Sequence, residues 1–190
     1  MSFDANVFAY IALAGWFPIS ALVFHFFRPS VATAIVLLGA ALFLPERLEI
    51  DLPLIPSFDK RSVGALAATG GCLWKSRSRL GDSWRRYRID GFMKFLLIGA
   101  IITTFTNRDA LTFGSLTLPS MTPYDAISMV LRDLLVICLP YFLSRALIRT
   151  PEESLAFFRV MVVAGLIYCL LGLVEIRLSP QLHRWLYGYH

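Results

Sequence analysis

Long apolar stretches, bounded by charged residues, proline or glycine, run along the whole chain. The first, residues 5–27, contains no Asp, Glu, Lys or Arg. As an α-helix it would measure about 35 Å, which is enough to cross the hydrocarbon core of a bilayer with some tilt. Further apolar stretches suited to helices occupy residues 31–45, 62–74, 91–107, 123–149 and 150–176. The pattern predicts an all-α, polytopic integral membrane protein with about six transmembrane helices in one domain, residues 1–190.

Two connecting stretches have the composition of short strands. In residues 46–61, apolar Leu48, Ile50, Leu52 and Leu54 alternate with polar residues or proline, which is a period of two. Residues 111–119, LTFGSLTLP, are uncharged and rich in β-forming residues. We expect these two stretches to pair with each other in a small ribbon over one membrane face.

Small residues and capping signals indicate how the helices begin and pack. Ala32, Gly39, Ala40 and Ala41 in the second predicted helix permit close helix packing, as do Gly64, Ala68, Gly70 and Gly71 in the third. Pro123 suits the first turn of the fifth helix. The sequence TPEES, residues 150–154, predicts an N-cap at Thr150 that is completed by Glu153.

Composition supports the membrane class. Hydrophobic residues make up 57% of the 190 residues and charged residues 16%, and the mean hydropathy is +0.65, which is too apolar for an ordinary soluble domain. The net charge of +5 does not predict nucleic-acid binding here, because the cations lie at the ends of apolar stretches. The three cysteines fall inside apolar stretches, so the sequence predicts neither a disulfide framework nor a metal site.

A basic stretch, Lys75 to Arg88, orients the predicted helices. Its sequence, KSRSRLGDSWRRYR, sets six cations against the single acid Asp82. A short cationic loop beside membrane helices resists translocation. We therefore predict that loop 75–88 is cytoplasmic and that the N-terminus lies on the opposite, periplasmic side. A nucleic-acid patch and a contact with lipid headgroups are the other interpretations.

Charges inside the apolar stretches are the first candidates for chemistry. Arg132 and Asp133 lie near the middle of the fifth predicted helix, where a charge costs about 2.5–3.5 kcal/mol on insertion scales. Arg132 leans towards the outer end of its helix and Glu175, late in the sixth helix, leans inward. We therefore predict an intramembrane ion pair between Arg132 and Glu175. Either it is a structural pair, or Arg132 binds a lipid diphosphate.

The last stretch, Glu175 to His190, combines interfacial aromatic residues with cations. Trp185, Tyr187 and Tyr189 suit a membrane interface. The titratable or cationic side chains beside them are Arg177, His183 and Arg184. The stretch suits an anionic lipid-linked substrate, or it is an interfacial anchor without chemistry. No motif of a soluble hydrolase is present in the sequence.

Three stretches resemble a known family. LPERLEIDLPLIPSFDK, PYFLSRALIR and LIYCLLGLVEIRLSPQLHRWLYGYH are similar to the N-terminal part of bacterial O-antigen ligase/polymerase-like membrane proteins. The resemblance implies an inner-membrane enzyme of cell-envelope polysaccharide synthesis that transfers or polymerises a glycan carried on undecaprenyl diphosphate at the periplasmic face. It implies no cofactor and no catalytic metal. It further implies that these residues are the N-terminal half of a longer protein, whose large catalytic loop would begin around Arg177 and continue past His190.

In such an enzyme, arginines would neutralise the diphosphate leaving group and a base would activate the acceptor hydroxyl. The candidates by charge and depth are Arg132, Arg177 and Arg184 for the diphosphate and His183 for the base. The expected partners are membrane lipids, the lipid-linked glycan and other polysaccharide assembly proteins. The competing interpretation is a non-enzymatic membrane subunit or a small transporter component, although no repeat relates the two halves of the sequence.

Overall fold

The computed structural model describes residues 6–46, 48, 50–52, 55–86, 91–114, 116–178 and 182–188, and over these residues the fold is mostly helical. A π-helical turn, Leu134–Cys138, joins α6 and α7 into one continuous helix. The helices are α1 (Val7–Phe26), α2 (Pro29–Phe43), α3 (Lys60–Lys75), α4 (Arg77–Arg86), α5 (Gly91–Thr106), α6 (Pro123–Asp133), α7 (Leu139–Leu147), α8 (Pro151–Leu178) and α9 (Leu182–Tyr187).

Among the described residues, three helices are long and apolar enough to cross a membrane. They are α1, the continuous helix Pro123–Leu147, and Pro151–Arg177 of α8. The helices α2 and α5 are apolar but shorter, and α3 has 16 residues, below the usual length of about 20. The prediction of a helical fold is therefore confirmed, whereas the prediction of about six crossings is not supported by helix length and composition.

Local sequence determines where several helices begin. Asp59 caps α3, because its carboxylate accepts hydrogen bonds from the backbone N–H groups of Arg61 and Ser62 at 3.1 and 2.8 Å. Pro123 begins α6, as predicted. The predicted cap of α8 is also confirmed: Glu153 N–H donates to Thr150 Oγ1 at 3.2 Å, and Thr150 N–H donates to Glu153 Oε2 at 3.3 Å.

The central helix of the bundle is α3. It packs against α1, α2, α4, α7 and the π-helical turn. Most of its buried residues are small: they are Ser62, Val63, Gly64, Ala65, Ala67, Ala68, Gly71 and Cys72. The largest buried side chains around it, Phe24, Leu143 and Leu147, come from α1 and α7. Small residues on α3 thus let several larger helices approach one axis.

Glycines mark the closest approaches between these helices. A methyl group on Gly64 would lie 2.6 Å from Cβ of Ala40, and one on Gly39 would lie 2.8 Å from the ring of Trp16. The predicted packing role of the small residues is therefore confirmed for Gly39, Ala40 and Gly64. It is wrong for Ala41 and Gly70, which are exposed.

The strands form two separate hairpins. Strand β1 (Ile50–Leu52) pairs with β2 (Ile55–Phe58), and β3 (Leu111–Phe113) pairs with β4 (Leu116–Leu118), both antiparallel. The predicted strand segments are present, but the predicted pairing between the two stretches is wrong. Gly114 adopts φ 61° in the turn of the second hairpin, a left-handed conformation that glycine adopts readily and that lets β3 pair with β4.

The basic stretch is helical and not a loop. Ser76 interrupts α3, and α4 then runs from Arg77 to Arg86. Leu80 and Ser83 are buried, and α4 packs against α7. Leu80 and Ser83 are three residues apart and so share one face of a helix, and this is the buried face. The stretch expected to be a loop at 75–88 therefore contains a helix. Arg88 lies outside the described residues.

The helix termini gather at two opposite ends of the bundle. Lys75, at the end of α3, reaches the end of α1, and Arg149, after α7, reaches α4. We call this the basic end. At the other end, residues of α9 contact the start of α1 and the end of α2, and β2 packs on α6. We call this the hairpin end.

Candidate functional site

Arg132 and Asp133 lie at the end of α6, immediately before the π-helical turn. Arg132 is exposed and Asp133 is half-buried. Arg132 lies about 14 Å along the helix from Pro123, near the middle of the continuous helix. Within the part of the chain that the structure describes, neither side chain forms a hydrogen bond or an ion pair. Arg132 is therefore a cation on an apolar helix with no partner from the described ranges.

The π-helical turn beside Arg132 has a cause in the sequence. Pro140 has no N–H group, and its ring would clash with the carbonyl one turn earlier in a regular α-helix. The wider turn ends at Leu139, whose N–H bonds the carbonyl of Leu134 five residues back. Arg132 and Asp133 thus lie just before a local irregularity of the helix.

The structure does not bring Arg132 and Glu175 together. The ion pairs among the described residues are Lys60–Glu46 at 3.6 Å and Arg79–Glu153 at 2.7 Å. Helix α8, which carries Glu175, packs on α2, whereas α6 packs on α5 and β2. Glu175 is half-buried near the hairpin end of α8. The predicted pair requires the helices of Arg132 and Glu175 to be neighbours, and α2 is the helix that packs on α8 instead.

The other predicted candidates lie at the C-terminal end of the described chain. Arg177 is exposed in the last turn of α8. The backbone of His183 and Arg184 belongs to α9, but their side chains lie outside the described residues, as does Tyr189. Arg177 and α9 are thus at the hairpin end, together with the start of α6.

Helix α9 docks on the bundle instead of extending from it. Asn6 Nδ2 donates to the carbonyl of Leu186 at 2.9 Å, and Asn6 N–H donates to the carbonyl of Tyr187 at 3.1 Å. Tyr187 is 7% exposed, stacks on Phe8 at 6.0 Å and donates its hydroxyl to the carbonyl of Phe43. Trp185 is exposed, which fits the predicted interfacial residue, whereas Tyr187 is a packing residue.

A polar network at the basic end was not predicted from the sequence. Arg79 pairs with Glu153, and Arg149 donates to the carbonyl of Arg79 and to Oγ of Ser83, both at 2.8 Å. Lys75 Nζ donates to the carbonyls of Phe24, His25 and Phe27 at 2.5, 3.0 and 3.0 Å. These contacts hold α4, α7 and the start of α8 together and cap the C-terminus of α1.

The network fixes which cations at the basic end are available to a ligand. Lys75, Arg79 and Arg149 are engaged with protein groups, whereas Arg77 and Lys94 are exposed with no partner among the described residues. Among the same residues, no group of three His, Cys, Asp or Glu side chains is close enough to hold a metal ion.

Comparisons of the chain with protein-family models, with curated proteins and with solved structures give no match. The fold therefore defines a class, namely a mostly helical protein with apolar helices compatible with a membrane protein. The resemblance to the O-antigen ligase/polymerase family stays a prediction.

Proposed function

We propose that the chain is the N-terminal part of a multi-pass membrane glycosyltransferase of the O-antigen ligase/polymerase type. In this proposal the bundle lies in the bacterial inner membrane, and the shorter helices α2, α3 and α5 also cross it. The substrate is a glycan on undecaprenyl diphosphate, bound at the hairpin end. The apolar side chains exposed around α1, α5 and α8 support membrane embedding, because so large an apolar surface would not stay in water.

The distribution of charge supports an orientation with the basic end in the cytoplasm. Cations with described side chains at or near that end are Arg28, Lys75, Arg77, Arg79, Lys94, Arg145 and Arg149. Those at the hairpin end are Lys60, Arg61, Arg108 and Arg177, and Lys60 pairs with Glu46. The excess of Lys and Arg at one end agrees with the positive-inside rule.

The observation that carries the proposal is the exposed guanidinium of Arg132, which has no partner among the described residues. A charge at mid-membrane is unfavourable by about 2.5–3.5 kcal/mol on insertion scales. A diphosphate offers several acceptor oxygens to an arginine fork, and such contacts are stronger than neutral hydrogen bonds. Arg132 would neutralise the leaving group as the glycosyl bond breaks. Arg177 and Arg184 are the further candidates for diphosphate binding, at the hairpin end. His183 is the proposed base for the acceptor hydroxyl.

The test uses the full natural gene product, purified in detergent, and a radiolabelled lipid diphosphate carrying a glycan. Arg132→Met should weaken binding about tenfold or more, since it removes a charge-assisted contact. Arg108→Met is the control, because Arg108 is an exposed cation away from the middle of the helix, at the hairpin end, where it lies 4.9 Å from the ring of Phe105. Equal affinities for the two variants, both with unchanged unfolding temperatures, would exclude Arg132 from the site.

A second candidate function is a non-enzymatic membrane subunit, and α8 favours it. None of the residues in the most apolar 18-residue segment of α8 is buried, so most of this helix is available to another protein. The mass of the native product separates the two proposals. A mass close to 21.4 kDa, the value for these residues, within a larger complex would support the subunit. A much larger single chain with transfer activity would support the enzyme.

A further inference from the structure

An apolar groove lies between α2 and α8. Its volume is about 330 Å³, and its walls are apolar except for one cation, Arg159. Val31, Ile35 and Phe43 line it from α2, and Val160, Val163 and Ile167 line it from α8. The groove is open along one side, so it can admit a chain-like apolar ligand from the surface of the bundle.

Arg159 is an exposed cation on an otherwise apolar part of α8. Within the described residues it has no hydrogen bond and no ion pair. Side chains on a helix lean towards its N-terminus, so the guanidinium is directed towards Pro151 and the basic end. An arginine at this depth places its stem along apolar surface and its charge near the interface.

A polar recess adjoins the groove. This recess has a volume of about 300 Å³, includes Arg28, Ser30 and Thr150, and shares Val31 with the groove. Glu152 and Glu153 also face it. The carboxylate of Glu153 already accepts hydrogen bonds from Arg79, Arg149 and Thr150. Because Glu153 pairs with Arg79, Arg28 of the recess and Arg159 of the groove stand against one remaining carboxylate. That carboxylate belongs to Glu152, which is hydrogen-bonded to Thr150. The excess of one cation favours a singly charged anion.

We propose that the groove binds one anionic phospholipid of the membrane leaflet at the basic end. One acyl chain lies between α2 and α8, and the phosphate lies between Arg159 and Arg28. The length of the groove fits an acyl chain. From Val31 to Phe43 the groove follows α2 for about 18 Å, and the hydrocarbon of one leaflet is about 15 Å thick. The site rests on the proposed membrane embedding, but it lies away from the proposed diphosphate site.

The test is native mass spectrometry of the natural gene product after delipidation in detergent, with added dioleoyl phosphatidylglycerol. Val163→Trp fills the groove and should abolish retention of the lipid. Val162→Trp is the matched control, because Val162 is the exposed neighbour that does not line the groove. Arg159→Met should weaken binding about tenfold, since it removes a charge-assisted contact with the phosphate. Ala164→Leu, a smaller change in the groove wall, should weaken retention even where the tryptophan variant folds poorly.

Several outcomes would overturn the proposal. Equal lipid binding by the Val163→Trp and Val162→Trp proteins would show that the lipid lies elsewhere. Unchanged affinity after Arg159→Met would remove the phosphate contact. Competition by glycerol 3-phosphate, which has no acyl chain, would mean a free-phosphate site. A dimer lost in the Val163→Trp protein would mean that a second copy fills the groove. The measurement contains no lipid diphosphate, so its failure would leave the proposed transferase activity untouched.

Discussion

Two adjacent glycines on α3 provide a sharp test of the packing. Gly71 faces α1, and a methyl group built there would lie 2.6 Å from Cγ of Phe24 and closer still to two other ring carbons. Gly70, the preceding residue, has nothing within 4 Å of the same methyl position. Gly71→Ala and Gly70→Ala therefore make the same chemical change in the same helix, in a crowded and in an open environment.

The magnitude follows from comparing the two variants. Replacing glycine by alanine inside a helix is favourable by about 0.5–1 kcal/mol, and this contribution cancels in the difference. The clash at Gly71 does not cancel. Phe24 is fully buried, so its ring cannot swing away, and overpacking of this kind costs about 1–3 kcal/mol. We expect Gly71→Ala to be less stable than Gly70→Ala by about 1–3 kcal/mol.

The assay is reversible unfolding in mixed detergent micelles, followed by circular dichroism. Phe24→Ala supplies a second check, because removal of the ring leaves space for the new methyl group. In that background Gly71→Ala should no longer destabilise the protein, and the double-mutant cycle should give a coupling energy of about 1–3 kcal/mol. Equal stability of the two alanine variants, or a cycle without coupling, would refute the packing of α1 on α3.

Three further predictions concern the basic end and the ends of helices. Lys75→Met removes a charged donor from three carbonyls at the end of α1, so unfolding measurements should show a loss of about 1–2 kcal/mol; Lys94→Met, at the same end, should show little change. Thr150→Ala removes the N-cap of α8 and should lower stability by about 1 kcal/mol, and an unchanged unfolding midpoint would argue against that cap. In a protein without its native cysteines, Arg108→Cys should react with an impermeant maleimide in intact spheroplasts and Arg77→Cys only after lysis. Reversed labelling would contradict the proposed orientation.

Features of the fold that depend on neighbouring residues in sequence could be predicted. The capping residues Thr150 and Glu153 act over three positions, and Pro123 fixes its own backbone angle. The strand segments 50–58 and 111–118 follow from short-range alternation and β-forming residues. Their pairing could not be predicted, because it depends on a choice between a nearby strand and a distant one.

The burial of whole helices was harder to predict. Of the three helices long enough to cross a membrane, α8 contains the most apolar 18-residue segment, and none of that segment is buried. The less apolar α3 is buried. In an apolar solvent the hydrophobic effect does not determine which residues are buried. Helices associate instead through small residues that permit close contact. The glycines and alanines of α3 were the available signal, and they identify the interior more reliably than hydropathy does.

The candidate site was predictable in part. Sequence alone identified Arg132 as an unusual charge, and in the structure it is exposed and has no partner within the described part of the chain. The sequence could not show which helix packs on α8, the helix that carries Glu175, because the tertiary fold determines which helices are neighbours. Likewise, Arg149 at the end of α7 contacts Ser83 of α4. The two residues are far apart in sequence, so no local sequence pattern predicts this contact.

The composition of α3 has a consequence for how the protein enters a bilayer. A 16-residue helix rich in glycine and alanine gains too little from lipid contact to partition into the hydrocarbon core alone. The helices α1 and α2 precede it in the chain and supply the surface on which it packs. If the chain is embedded as proposed, α3 must pack against α1 and α2 as it leaves the translocation machinery. A mutation that disrupts the packing of α1 and α2 would therefore prevent the insertion of α3 into the membrane during synthesis.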